Sequence, residues 1–292
     1  MKSIILTLAL VTLCLNMFSQ SKKSTEDPPK GMLFVPQGTF MMKAMENKDT
    51  FRVSVFVEAF WMSNEVTNRE YRGYVNYVKQ HPDEDMCWFD GEKEPRNTNL
   101  AVQADELRKN IKCLKYAAIL HDIIDTAKLP FSDYYTNIKY DDFPVICVSQ
   151  KHANFYCIWK TKMENDILKK QGRPCIHSYQ LPSEAQWAYV AAQPFAENAL
   201  NITKATIQPS ESGAINDWGF YNLHGNVSEW TSSCPTKWGK ADTSALQRDK
   251  RIMRGGSWKT DPNIDTRKVL DINSKEDYIG FRIVRAYMGK EK

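Results

Sequence analysis

Cysteines are the residues with the widest chemical reach here, since a thiol can ligate soft metals, form disulfides or act as a nucleophile. Beyond Cys14 the chain holds Cys87, Cys113, Cys147, Cys157, Cys175 and Cys234. No two of them stand as CxxC, so neither a zinc ribbon nor a thioredoxin-type dithiol is expected. Six cysteines allow fifteen pairings, which spacing leaves open, and several can serve as small buried apolar residues. The histidines (His81, His121, His152, His177 and His224) are scattered without an HxxxH pair, so structural or surface roles are expected of them. Gly255-Gly256 lacks the following Lys-Ser/Thr helix start that phosphate binding needs, and it reads as close backbone packing. Arg254, Trp258 and Arg282 read as framework, an aromatic in the core and arginines satisfying carbonyls, in preference to the lining of a surface groove.

The whole chain must place these residues. At 292 residues it can bury a sizeable core, as one large domain or two small ones. Its net charge is +4 with both signs interspersed, which excludes the basic stripe of a nucleic-acid binder. Lys2 followed by the apolar run Ile4 to Leu15 and the polar Ser19-Gln20-Ser21 reads as a signal peptide over 1–19, cleaved near Ser19, with a linker over 20–30. Cys14 follows Leu13 where lipid attachment needs a small residue, so no lipid anchor is expected. No later run is long enough to span a membrane, and the expectation is an exported protein of the periplasm or outer-membrane periphery.

Strand-like alternation runs over 32–35, turns at Pro36-Gln37-Gly38 and returns over 39–42, and the pattern continues over 51–57 and 60–62. Thr67 with Glu70 forms a capping box, and Tyr71, Tyr74, Val75 and Val78 then fall on one helical face. Ser183 with Gln186 opens another helix, with Trp187, Val190 and Ala191 facing inward. Between these lie a short apolar strand over 143–148 and a helix over about 151–168. The charged, irregular stretch 81–142, with a helix near 105–124, reads as an insertion. Glycines punctuate short aromatic segments after residue 215. Few helices, short strands and long ordered loops describe an irregular α+β domain over 31–292.

The runs MLFVPQGTF (32–40), EVTNREY (65–71), PVICVSQKHANFYCIW (144–159), LPSEAQWAY (181–189), GFYNLHGNVSEWT (219–231), RGGSW (254–258) and GFRIV (280–284) occur in one order. That set resembles the sulfatase-modifying-factor family, the formylglycine-generating enzymes, and implies their C-type-lectin-like fold. Active members oxidise a substrate cysteine with copper held by two thiolates in the segment after the GGS-aromatic motif. From Trp258 to Lys292 this chain has no cysteine and Cys234 upstream stands alone, so no copper and no catalytic residues are expected. A related branch uses an iron site of clustered histidines from an added N-terminal domain, which these scattered histidines do not supply. The resemblance also implies calcium, a structural ion held by the Asn222 side chain, the Gly225 and Val227 carbonyls and the Glu229 carboxylate. The competing reading is that Glu229 pairs with a buried arginine such as Arg254.

Within the family, AFWM (59–62) with EVTNREY, the long insertion, RGGSWK and DYIGFR (277–282) resemble the GldK/PorK branch of gliding motility and type IX secretion. That resemblance implies a non-catalytic envelope scaffold, a GldN/PorN-like protein partner and a homo-oligomeric ring. A formylglycine-generating-type oxidase and a calcium-dependent lectin-like module stand as alternatives. The insertion is the expected source of specificity, its Trp88, Leu114, Ile119, Ile123, Phe131, Tyr134 and Tyr135 being available to bury against a partner.

Overall fold

The computed structural model describes residues 28–46, 49–89, 111–195, 206–213, 215–235, 249–260 and 263–289. The expected signal peptide and most of the expected linker lie outside them, as do residues 105–110 of the helix expected near 105–124.

Two small sheets carry the fold. The first is antiparallel and joins both ends of the domain: β1 (Met32–Val35), β4 (Phe60–Ser63), β12 (Val284–Ala286) and β7 (Tyr179–Gln180), in that order. The sequence predicts that β1 returns as a hairpin over 39–42, and the structure corrects this. Pro36 has no N–H to donate, so the strand ends, and Val35 packs against Phe60 and Met62 in the core instead. Strand β2 (Gly38–Glu46) then pairs with β3 (Asp49–Val57) in a separate ribbon. The second sheet runs β10 (Arg267–Asp271), β9 (Lys250–Arg254), β8 (Ser228–Trp230) and β11 (Ile279–Gly280), with only β11 and β8 parallel.

Helix α1 (Asn68–Gln80) starts where predicted. Thr67 Oγ1 accepts from the Glu70 amide, Glu70 Oε2 accepts from the Thr67 amide, and Tyr71, Tyr74, Val75 and Val78 are buried. These tyrosines meet Tyr156 of α3 (Gln150–Lys170), whose cap is Ser149, in a cluster of ring contacts that also takes in Phe281. Helix α4 (Glu184–Ala191) opens on Ser183 with both halves of its capping box formed, and buries Trp187 between the two sheets' loops.

Two expectations fail within and after the insertion. Residues 111–115 are a strand, β6, paired with β5 (Asp85–Phe89), and among the described residues of that stretch helix covers only α2 (Tyr116–Leu120). The cause is covalent as well as local, because the register sets Cys113 opposite Cys87 and a disulfide joins them. Residues 143–148 form no strand. Val145 to Val148 are wholly buried, the Val145 and Cys147 amides donate to Val66 and Glu276 carbonyls, and Cys147 has a φ of 58° that breaks extended geometry. The insertion's apolar residues mostly serve the domain's own core. Ile119, Ile123, Tyr134 and Tyr135 are buried, Trp88 and Leu114 pack partly against them, and Phe131 alone of the expected set stays open at 48% exposure.

Candidate functional site

The loop that leads into β8 is built on two asparagines in left-handed backbone, Asn222 (φ 61°) and Asn226 (φ 59°), a conformation asparagine tolerates better than most residues. Both side chains turn to one acid, Glu65, just ahead of α1. Asn222 Nδ2 donates to Glu65 Oε2 at 3.0 Å and Asn226 Nδ2 to both carboxylate oxygens at 3.1 Å. Asn226 Oδ1 accepts from the Gln208 amide at 2.8 Å, so the loop is tied to the 206–213 segment as well. Next to this, Glu229 accepts from Arg282 Nε at 2.6 Å, Arg282 Nη2 at 2.7 Å and Trp187 Nε1 at 2.7 Å. Arg282 also donates to the carbonyls of Ser63 and Tyr221, joining the two sheets through one guanidinium.

The arginine paired with Glu229 is therefore Arg282, a correction to the partner suggested by sequence. Register does set Glu229 across from Arg254, but Arg254 is held elsewhere, by the carbonyls of Asp265 and Lys43 and by Glu184 at 3.8 Å, over the Trp187 ring. Strand β11 lies parallel to β8 with Gly280 beside Glu229, and this delivers Arg282 to the carboxylate. A side chain at Gly280 would strike Val227 Cγ2 at 2.9 Å and the Val145 carbonyl at 3.0 Å, so only glycine permits this approach.

Glu65, Glu229 and Arg282 are all buried, which sets two carboxylates against one guanidinium. Burial first, and then the charge of Glu229, hold the Glu65 carboxyl well above the usual carboxylate range, with Arg282, Asn222 and Asn226 opposing. Of the calcium ligands that the resemblance implies, Asn222 and Glu229 are brought to this cluster, and Gly225 and Val227 lie on the turn between them. The oxygens fit a hard cation in type. Glu229 is already engaged by Arg282 and Trp187, whereas Glu65 is met by the Asn222 and Asn226 amides. Sequence reasoning missed Glu65 as a site residue, its one signal being its place at the head of EVTNREY.

The RGGSW loop leans on the same cluster. Trp258 donates its amide to the Asn226 carbonyl at 2.8 Å and its indole N–H to the Asp277 carbonyl at 3.2 Å. Gly255, at φ 76°, runs so close to Trp187 that a Cβ would meet the ring at 3.1 Å, which is the close backbone packing expected of it. Arg254 and Arg282 are framework residues, buried and satisfying carbonyls. The thiols are dispersed. Cys147 and Cys157 lie in separate core clusters, where burial pushes the Cys147 thiol up to about 12 and raises Cys157 as well, so neither is a thiolate at neutral pH. Cys175 and Cys234 are exposed, and Cys87 and Cys113 are oxidised together. Among the described residues no three His, Cys, Asp or Glu side chains converge as a metal site, and no helix is long and apolar enough to cross a membrane.

Comparison with known proteins places the fold. A family model for the sulfatase-modifying factor enzyme 1-like domain matches residues 17–287. The inactive C-alpha-formylglycine-generating enzyme 2 of Bos taurus is 25% identical over 174 residues, covering 48% of this chain and 50% of that protein. The formylglycine-generating enzyme of Bos taurus is 23% identical over 275 residues, covering 79% and 66% respectively. The chain thus spans about half to two thirds of the length of these curated relatives. Among solved structures, PvdO from Pseudomonas aeruginosa superposes with a TM-score of 0.56 at 21% identity, over 91% of this chain and 100% of that one. CarF gives 0.51 at 16% identity, over 89% and 99%. These likenesses concern the fold.

Proposed function

Since the chain belongs to the sulfatase-modifying factor enzyme 1-like domain family, we propose that it is a non-catalytic member that works by binding and assembly. One observation carries this reading: from Trp258 to the last residue there is no cysteine to supply the thiolate pair that holds copper in the oxidases the motifs resemble. The remaining thiols do not substitute, being buried and protonated, oxidised, or placed singly on the surface. An inactive relative in the family is consistent with a fold that persists without the chemistry.

The finer reading rests on motifs and the leader. Residues 1–19 act as a signal peptide, the mature chain works in the periplasm or at the outer-membrane periphery, and its role is that of a GldK/PorK-like scaffold with a GldN/PorN-like partner. Calcium, held through Asn222, Gly225, Val227 and Glu229 with Glu65 beside them, acts structurally by neutralising the buried negative charge. The test is size-exclusion of the tagged chain from solubilised envelopes of its own source. The proposal expects a stable assembly with one stoichiometric partner, and a chain that elutes alone as a monomer contradicts it.

A further inference from the structure

A groove of about 1020 Å³ opens between α3 and the β5–β6 hairpin of the insertion. It stands apart from the Glu65–Arg282 cluster, and nothing about it depends on whether the chain is catalytic. One wall is the hairpin, with Cys87, Trp88 and Lys112, and the disulfide to Cys113 fixes that wall. The floor is one face of α3 from Gln150 to Lys169, about 30 Å at 1.5 Å per residue. An extended chain of about nine residues fits that length.

The lining states the chemistry. Of the described lining residues Lys112, Lys151, Lys162, Lys169 and Arg251 are basic and Asp166 is acidic. Lys162 is already paired with Asp166 at 2.9 Å and Glu84 at 3.5 Å, while Lys151 and Lys169 stand exposed at the two ends of the floor. The N-terminus of α3 adds partial positive charge beside Lys151. Apolar surface comes from Ile158 and the half-buried Trp88. Phe155 and Tyr179 are buried, Phe155 beneath Lys151 and Tyr179 beneath Lys160, so the groove offers no row of open ring faces for a sugar chain to stack on. Two amides instead suit a peptide backbone. Asn154 donates to Gln150 at 3.1 Å and keeps Oδ1 to accept, and Asn165 accepts from the Ile176 amide at 2.8 Å and keeps Nδ2 to donate.

We propose that this groove binds an extended, acidic polypeptide segment of a partner protein. Acidic side chains meet Lys151 and Lys169, the backbone meets Asn154 and Asn165, and one apolar side chain rests on Trp88 and Ile158. The oxidised full chain is titrated against a fluorescein-labelled peptide of about nine residues, Glu and Asp alternating with Leu and Tyr, and anisotropy is followed. Lys151 and Lys169 are both exposed, so Lys151→Glu/Lys169→Glu leaves the fold intact, which its melting temperature checks, and Lys151→Gln alone is the milder variant. Expected are binding that weakens about tenfold in the double variant and less in the single one, with further loss at high salt, and no binding of the Gln/Asn version of the peptide. Lys79→Glu, on exposed α1 surface, binds as the wild type does. The proposal is overturned if the neutral peptide binds equally, if charge reversal at Lys151 and Lys169 changes nothing, or if oligogalacturonate binds while the acidic peptide does not.

Discussion

Glu229 and Arg282 share two short charge-assisted hydrogen bonds with neither side chain open to water, so removing one leaves the other charged and unmatched. Arg282→Met should therefore lower stability to urea by about 3–5 kcal/mol, and adding Glu229→Gln should recover much of it. A single-variant loss below about 1 kcal/mol would contradict the pairing. His152 gives a pH effect of known sign. Burial, helped by the charge of Lys275, takes its pKa from 6.5 down to about 4, so it is neutral in the folded chain. The unfolded chain takes up the proton first, so this contribution is whole above pH 6.5 and fades as pH falls toward 4, by about 3 kcal/mol at most. His152→Gln should flatten the denaturation midpoint across that window. Calcium has its own test at this scale: millimolar calcium should raise the melting temperature of the wild type but not of Glu65→Gln, and equal shifts would remove Glu65 from the site. Sequence read Arg282 as framework and Glu229 as a calcium ligand, with a pairing to a buried arginine such as Arg254 as the competing reading; which arginine arrives is decided by strand order, a long-range fact. Glu65 stayed hidden for the same reason, its partners Asn222 and Asn226 being more than 150 residues away.

At the level of elements, what was legible was local. Thr67 with Glu70 and Ser183 with Gln186 announce their helices because a cap satisfies its own neighbours' amides, and the stripe Tyr71, Tyr74, Val75, Val78 faces the core for the same short-range reason. The segments that misled are those whose state is set from a distance. Residues 111–115 become a strand only by lying against 85–89 with Cys87 and Cys113 bonded, and 145–148 lose their strand because their amides reach Val66 and Glu276 instead of a neighbouring strand. The disulfide closes a separation of 26 residues, for which loop entropy gives a stabilisation of about 3–4 kcal/mol. Cys87→Ser/Cys113→Ser should speed amide exchange chiefly in the hairpin and in Tyr116–Leu120, with α1 and α4 little changed. Uniform acceleration across the chain would show that the hairpin is integral to the global unfolding unit.

For the whole molecule, seven short runs in fixed order carry the family fold, because they sit where distant segments cross: Glu65 against Asn222, Gly280 against Val227, Gly255 against Trp187. The insertion was less readable. Its apolar residues were expected to meet a partner, yet most complete the domain's own core, and what it leaves to the outside is a basic groove along α3. The proposal of a binding role joins two observations, the lack of cysteine from Trp258 onward in this sequence and the groove along α3. The decisive measurement is anaerobic titration of the purified chain with Cu(I), read by sulfur-sensitive X-ray absorption alongside oxidation of a cysteine peptide under oxygen. The account predicts no stoichiometric sulfur-bound copper and no turnover, whereas one copper per chain on two thiolates, with formylglycine produced, would contradict it.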